Sequence, residues 1–264
     1  MADEKRFLVD VGMRELPFPI RVDSRRDPEG QPTVAHISIQ ARIMQKFEAN
    51  WIDKFIQIVH QHRDRIGTQT LRVNIMDYVE ELGASMVEID FEYPFFVEKQ
   101  TPVSKQNCLV HYLCTYTARV DSSREEPKII QKISVPVVTT YPASGPEKPG
   151  GLFGQLSVVS LEVQSHKNIY PEDLVEIVDK RALAPIYSFH TDEDQTFLIE
   201  KIHTEKKTSV VMTDQIKEDL SRWDDIEWYS VSCSNFGMLH SYSTVIGTEK
   251  SAWVPFSGYK SEEI

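Results

Sequence analysis

Residues 142–151 read Pro-Ala-Ser-Gly-Pro-Glu-Lys-Pro-Gly-Gly, with three prolines and three glycines in ten positions. Proline lacks the amide hydrogen that a helix interior or a sheet ladder needs, and glycine weakens both, so this stretch must be a loop. It divides the 264-residue chain into two regions, expected as an N-terminal module over 1–145 and a C-terminal module over 146–264.

Before the loop, Val34, Ala35, Ile37 and Ile39 partly alternate with polar residues, which predicts a half-buried strand, read as the first of the chain. The period then changes. Trp51, Ile52, Phe55, Ile56, Val59 and Ile66 recur mostly three or four apart, predicting an amphipathic helix within 48–66 that Gly67 ends. Leu71, Ile75, Tyr78, Val79 and Leu82 predict a second helix stopping at Gly83, followed by a strand over 86–97. Strand-like runs at 107–120 and 129–141 flank the polar segment 121–127, expected as a hairpin loop.

After the loop the series restarts, with a strand at 155–163, a helix opening at Pro171, further helix, a strand at 228–234 and one more element beyond His240. Proline suits the first turn of a helix, where its missing N–H is not needed. Glu172 and Asp173 complement the positive end of the helix dipole, and Lys180 and Arg181 the negative end. The halves match in element order without a residue-level repeat. This order predicts the α+β class, with antiparallel sheets carrying helices on one face.

Composition narrows the function. With 41% hydrophobic and 26% charged residues, the chain can bury one large core or two small ones. A formal net charge of −11 argues against wide contact with nucleic acid, whose phosphates demand clustered Lys and Arg. Cys108, Cys114 and Cys233 cannot all pair and form no CxxC spacing, which fits a reducing, cytoplasmic setting. The polar start Met1-Ala-Asp-Glu-Lys-Arg6 and the lack of a long apolar run point away from secretion and membrane insertion.

Several segments, taken in order, resemble the GTP cyclohydrolase type IB family across nearly the whole chain. They are Val11-Gly12, Pro19-Ile-Arg-Val22, Tyr93-Pro-Phe-Phe-Val-Glu-Lys-Gln-Thr-Pro-Val-Ser104, Val135-Pro-Val-Val-Thr-Thr140, Glu172-Asp-Leu-Val-Glu-Ile-Val178 with Ala184-Pro-Ile-Tyr187, and Asn235-Phe236 with His240. The resemblance implies two tandem tunnelling-fold modules, each a four-stranded antiparallel sheet with two helices. It also implies a homotetramer with active sites at subunit interfaces, and a divalent metal, held by Cys, His and Glu, that activates water for attack at purine C8.

The metal and catalytic positions of that pattern carry other residues here. Where the family has Cys-Pro-Cys-Ser the chain reads Tyr141-Pro-Ala-Ser144, and where it has a histidine Phe153 or Gly154 stands, with Gln155 retained. The family's metal glutamate falls on Gln195, its purine-anchoring glutamate near Val211, and the glutamate of its Asn-Phe-Glu-Ser-Ile-His run on Gly237, with His240 kept. The expectation is therefore a diverged member acting on a small heterocyclic or polar metabolite, with no metal and no cofactor.

His240, as an imidazole able to move protons near neutral pH, is the leading catalytic candidate, with Gln195 and Glu98 beside it. Lys99, Ser104, Gln155 and His111 are the ligand-binding candidates. Each has a structural alternative. Glu98 and Lys99 could form a surface ion pair at a strand end, Ser104 could satisfy its own turn, and His111 could sit at the rim of the core beside Leu109 and Leu113. Cys108 and Cys114 suit small buried hydrophobes, and His60 and His62 point in different directions on a helix. His190, Asp192, Glu193 and Asp194 read as a solvated helix start or as part of a relocated cation site.

Two other functions remain beside the diverged enzyme. One is a non-catalytic ligand-binding or assembly subunit of the same fold. The other is a GTP cyclohydrolase whose metal has moved to His190, Asp192, His203 or His240.

Overall fold

The computed structural model describes residues 9–43, 50–121 and 126–250. Strands β1 (Val9–Val22) and β2 (Gln31–Ile43) lead to helices α1 (Asn50–His62) and α2 (Thr68–Leu82), then β3 (Ala84–Gln100) and β4 (Asn107–Asp121). The second series runs β5 (Lys128–Thr140), β6 (Gly154–Ser165), α3 (Pro171–Arg181), β7 (Ala184–Pro185), α4 (Asp192–Thr204), α5 (Ser209–Ser221), β8 (Ile226–Phe236) and β9 (Thr244–Glu249).

All strands join one antiparallel sheet in the order β1-β2-β3-β4-β5-β6-β8-β9, with β7 paired to β5. The fold is α+β, one antiparallel sheet with the helices against one face. The sequence of two strands, helices and two strands occurs over β1–β4 and again from β5 to β9. The sheet runs across the halves through the β4–β5 pairing.

The alternation of β4 shows why the sheet is one-sided. Cys108, Val110, Tyr112, Cys114, Tyr116, Ala118 and Val120 point into the core beneath the helices. Leu109, His111 and Leu113 take the other face and are exposed. α2 covers β3 and β4 with Leu71, Ile75 and Tyr78, α1 packs on α2 through Phe55 against Tyr78, and α5 covers β8 with Met212, Ile216 and Leu220.

The helix boundaries follow local chemistry. α2 ends at Gly83, whose φ of 59° lies in the left-handed region that glycine tolerates. At α4, Thr191 Oγ1 accepts from the Asp194 amide at 3.3 Å, and the Asp194 carboxylate accepts from the Thr191 amide at 3.1 Å, a reciprocal cap.

Two expectations need correction. The Thr33–Ile39 run belongs to the second strand, because Val9–Val22 already forms an edge strand despite Pro17 and Pro19, which an edge tolerates. Gly67 does not end α1, which stops at His62; it is the N-cap of α2, and Ile66 bridges to Val22. Of the expected hairpin loop, residues 122–125 lie outside the described residues, as do 48 and 49 of the first helical run.

Candidate functional site

Register brings one group of residues together. Thr139 on β5 pairs with Gln155 on β6, Ser157 on β6 with Asn235 on β8, and Asn235 with Thr244 on β9. Four neighbouring strands therefore deliver Tyr141, Gln155, Asn235 and Thr244 to one end of the sheet. Pro142, Ala143, Gly237, His240 and Tyr242 from the adjoining loops complete a cavity of about 170 Å3.

A buried polar network lies at its base. Gln155 Nε2 donates to Thr139 Oγ1 at 3.3 Å and to Asn235 Oδ1 at 3.2 Å, and Ser157 Oγ donates to the same Asn235 oxygen at 2.8 Å. This orients the Gln155 amide, leaving Oε1 beside Gly237 with no hydrogen bond among the described residues. A fixed, free acceptor is suited to an N–H edge of a ligand. At the mouth, His240 is exposed and its ring stacks on Tyr242 at 4.8 Å.

Tyr141, which also lines the cavity, stacks on Phe153 with centroids 5.0 Å apart and planes 16° apart. Burial pushes the neighbouring Cys233 thiol up to about 11, so it stays protonated and is a poor metal ligand or nucleophile near neutral pH.

The divalent metal implied by the resemblance does not fit this donor set. The cavity offers one imidazole, two phenols, two amides and a threonine hydroxyl, with no thiol or carboxylate among its lining residues. Transition-metal sites are built from thiolate, imidazole and carboxylate. Among the described residues, no group of three or more His, Cys, Asp and Glu side chains is placed to hold a metal ion.

The other candidates lie elsewhere. Gln195 is exposed on α4 and does not line the cavity with His240. Glu98 and Lys99 line a separate cleft of about 870 Å3 with Arg25, Arg26, Asp179 and Tyr187. The anticipated Glu98–Lys99 surface pair is replaced by something more buried. Lys99 pairs with Asp179 of α3, its ammonium lying 5.2 Å from the Tyr112 ring centroid and 5.8 Å from that of Tyr187. Burial raises the Asp179 carboxyl, and the Lys99 charge opposes that rise.

Ser104 is committed to structure, since its hydroxyl donates to Asp194 Oδ2 at 2.6 Å. His111 is not at the core rim; it stands on the exposed face of the sheet beside Phe96, ring centroids 6.2 Å apart. Asp194 is fully buried, whereas Asp192 and Glu193 of the same helix turn are exposed. His190 packs on Tyr187, and His203 Nδ1 bonds the Leu152 carbonyl oxygen at 2.6 Å, so the relocated metal site is not assembled. His60 contacts Phe18 and His62 pairs with Asp77, consistent with their pointing apart.

Sequence reasoning missed Tyr141, Asn235 and Tyr242 as pocket residues. Asn235 lies in a segment that carried the family resemblance, and Tyr141 opens the stretch that departs from it; Tyr242 gave no signal of its own.

The fold is that of the tunnelling class. The uricase from Bacillus fastidious superposes with a TM-score of 0.55, 8% identity and coverage of 93% of this chain and 94% of its own. The Arthrobacter globiformis uricase gives 0.50, with 9% identity and coverage of 92% and 93%. Identities this low show the architecture alone.

Sequence narrows the class further. A model of type I GTP cyclohydrolase FolE2 matches residues 2–245. GTP cyclohydrolase FolE2 of Citrifermentans bemidjiense is 28% identical over 241 residues, covering 91% of this chain and 89% of that protein. Its Nitrosococcus oceani counterpart is 28% identical over 250 residues, covering 94% and 92%. The chain belongs to the type I GTP cyclohydrolase FolE2 family. Among the described residues, no helix is long and apolar enough to cross a membrane.

Proposed function

We propose that this family member binds a purine-type heterocycle in the cavity of Tyr141, Gln155, Asn235 and His240. GTP is the first candidate, because the FolE2 relatives are named for it. The observation that carries the reading is convergence. Segments separated by nearly a hundred residues, each matched to the family's active-site pattern, meet around one cavity.

In this reading Gln155 Oε1 accepts from the ring's N–H edge, and Asn235 with Ser157 holds Gln155 in that orientation. His240 moves protons at the ligand from the open side. No thiol or carboxylate lines the cavity to hold a metal-bound water, so the reading is of a diverged enzyme that does not open GTP by the family's route. A neighbouring subunit of a cytoplasmic homotetramer completes the cavity, and the division into two modules belongs to the same proposal.

A second reading has the chain as a non-catalytic binding subunit, favoured by the solvent exposure of His240. Titration calorimetry with GTP and with guanine, on the wild type, Gln155→Ala and His240→Ala, tests both. The enzyme reading expects binding that Gln155→Ala weakens about tenfold, the loss of one hydrogen bond to a buried acceptor. Unchanged affinity in both variants would place the ligand elsewhere. Weakening in Gln155→Ala, with bound ligand recovered chemically unchanged after prolonged incubation with the wild type, would favour the binding subunit.

A further inference from the structure

We infer that Tyr141, Phe153 and Gly237 form a matched replacement that fills the implied metal position with aromatic carbon, and that Tyr141 thereby sets what the cavity accepts. Tyr141 is the link, touching Phe153 from the following loop on one side and Gly237 from the loop after β8 on the other. The Tyr141 ring lies on the Phe153 ring, and the Tyr141 amide donates to the Phe153 carbonyl at 3.0 Å, so backbone and side chain fix the same arrangement.

Gly237 is the third part. A Cβ built there would lie 3.0 Å from Tyr141 Cε2 and 3.7 Å from Gln155 Oε1, a contact tighter than carbon atoms ordinarily make. Gly237 is not among the glycines with positive φ, so its backbone would accept a side chain. The Tyr141 ring therefore crowds any side chain placed at 237. Conversely, a large side chain at 237 would leave no room for that ring.

Tyr141 and Gly237 stand where the resemblance places a thiol and a carboxylate, and Phe153 or Gly154 where it places an imidazole. Tyr141 packs between the Phe153 ring and the Gly237 backbone and walls one side of the cavity. The resulting cavity has a carbon wall at Tyr141, a fixed acceptor at Gln155 and an imidazole at its mouth, which suits the edge of a flat, uncharged ring. A hydrated divalent cation finds no anionic ligand there.

This inference rests on the proposed reading only for the location of the cavity, and its experiment reads metal content and stability rather than ligand. The purified wild type is incubated with zinc or manganese, desalted and analysed by mass spectrometry for metal, with His240→Ala alongside. Thermal melts are recorded for Gly237→Ala, Tyr141→Ala and the double variant. The wild type is expected to keep far less than one metal per chain. Gly237→Ala is expected to lower Tm by about 4 °C, the usual cost of overpacking, and to cost little in the Tyr141→Ala background. One retained metal per chain that His240→Ala abolishes would overturn the inference, as would an equal Tm loss in both backgrounds. The metal measurement stands even if Gly237→Ala does not fold.

Discussion

Ser104 Oγ donates to Asp194 Oδ2 at 2.6 Å, joining the turn after β3 to the first turn of α4. The same carboxylate accepts from the Val103 and Ser104 amides at 2.8 and 3.0 Å and from Thr191 Oγ1 at 2.8 Å. Burial opposes its charge, yet these donors hold its pKa well below the usual carboxylate range. Because the folded pKa is depressed, the stabilisation is complete above the unfolded value of about 3.9 and is lost as pH falls below it. Asp194→Asn should lower Tm at pH 7 by several degrees and flatten the decline of Tm between pH 5 and pH 3, as followed by circular dichroism.

Lys99 and Asp179 form a buried pair whose partners should not be separable without cost. Lys99→Met alone or Asp179→Asn alone should destabilise the chain by about 3 kcal/mol in urea titrations, because each leaves a charge buried without its counterion. The double variant should be closer to wild type than the sum of the singles, and an additive result would mean that the pair contributes no coupling.

Gly83 gives a simpler case. Its φ of 59° suits glycine, and an added Cβ would meet nothing within 4 Å, so Gly83→Ala should cost about 1 kcal/mol through backbone conformation alone. Asn, which tolerates this region better, should cost less in the same titration.

The sheet face opposite the helices exposes Phe96, Leu109 and Leu113 together, an apolar patch that the proposed assembly would cover. Leu113→Glu should lower the oligomer mass measured by light scattering while preserving the circular dichroism spectrum. A wild-type chain that is monomeric at micromolar concentration would remove the assembly proposal.

Local chemistry made much of the fold readable in advance. The loop at 142–151, the helix start at Pro171 and the stop at Gly83 each depend on residues adjacent in sequence, and all three stand in the structure. β1 was missed because Pro17, Pro19, Arg14 and Glu15 disguise its alternation, and only its place at the sheet edge accommodates them. Period-two counting put His111 with Leu109 and Leu113, as observed, but apolar neighbours drew that face inward when the helices cover the other. Register decided the site in the same way. Ser104 meets Asp194 across ninety residues, and Lys99 meets Asp179 rather than its neighbour Glu98. No local pattern encodes such pairings.

The cavity of Tyr141, Gln155, Asn235 and His240 offers no thiolate or carboxylate to a divalent metal. Turnover of GTP by the purified protein, with zinc or manganese and with or without EDTA, followed as the fluorescent pterin after oxidation, tests this most directly. No metal-dependent product is expected under conditions where an active family enzyme gives abundant signal. Robust turnover that EDTA abolishes would contradict it and would require metal ligands from outside the Tyr141–His240 cavity.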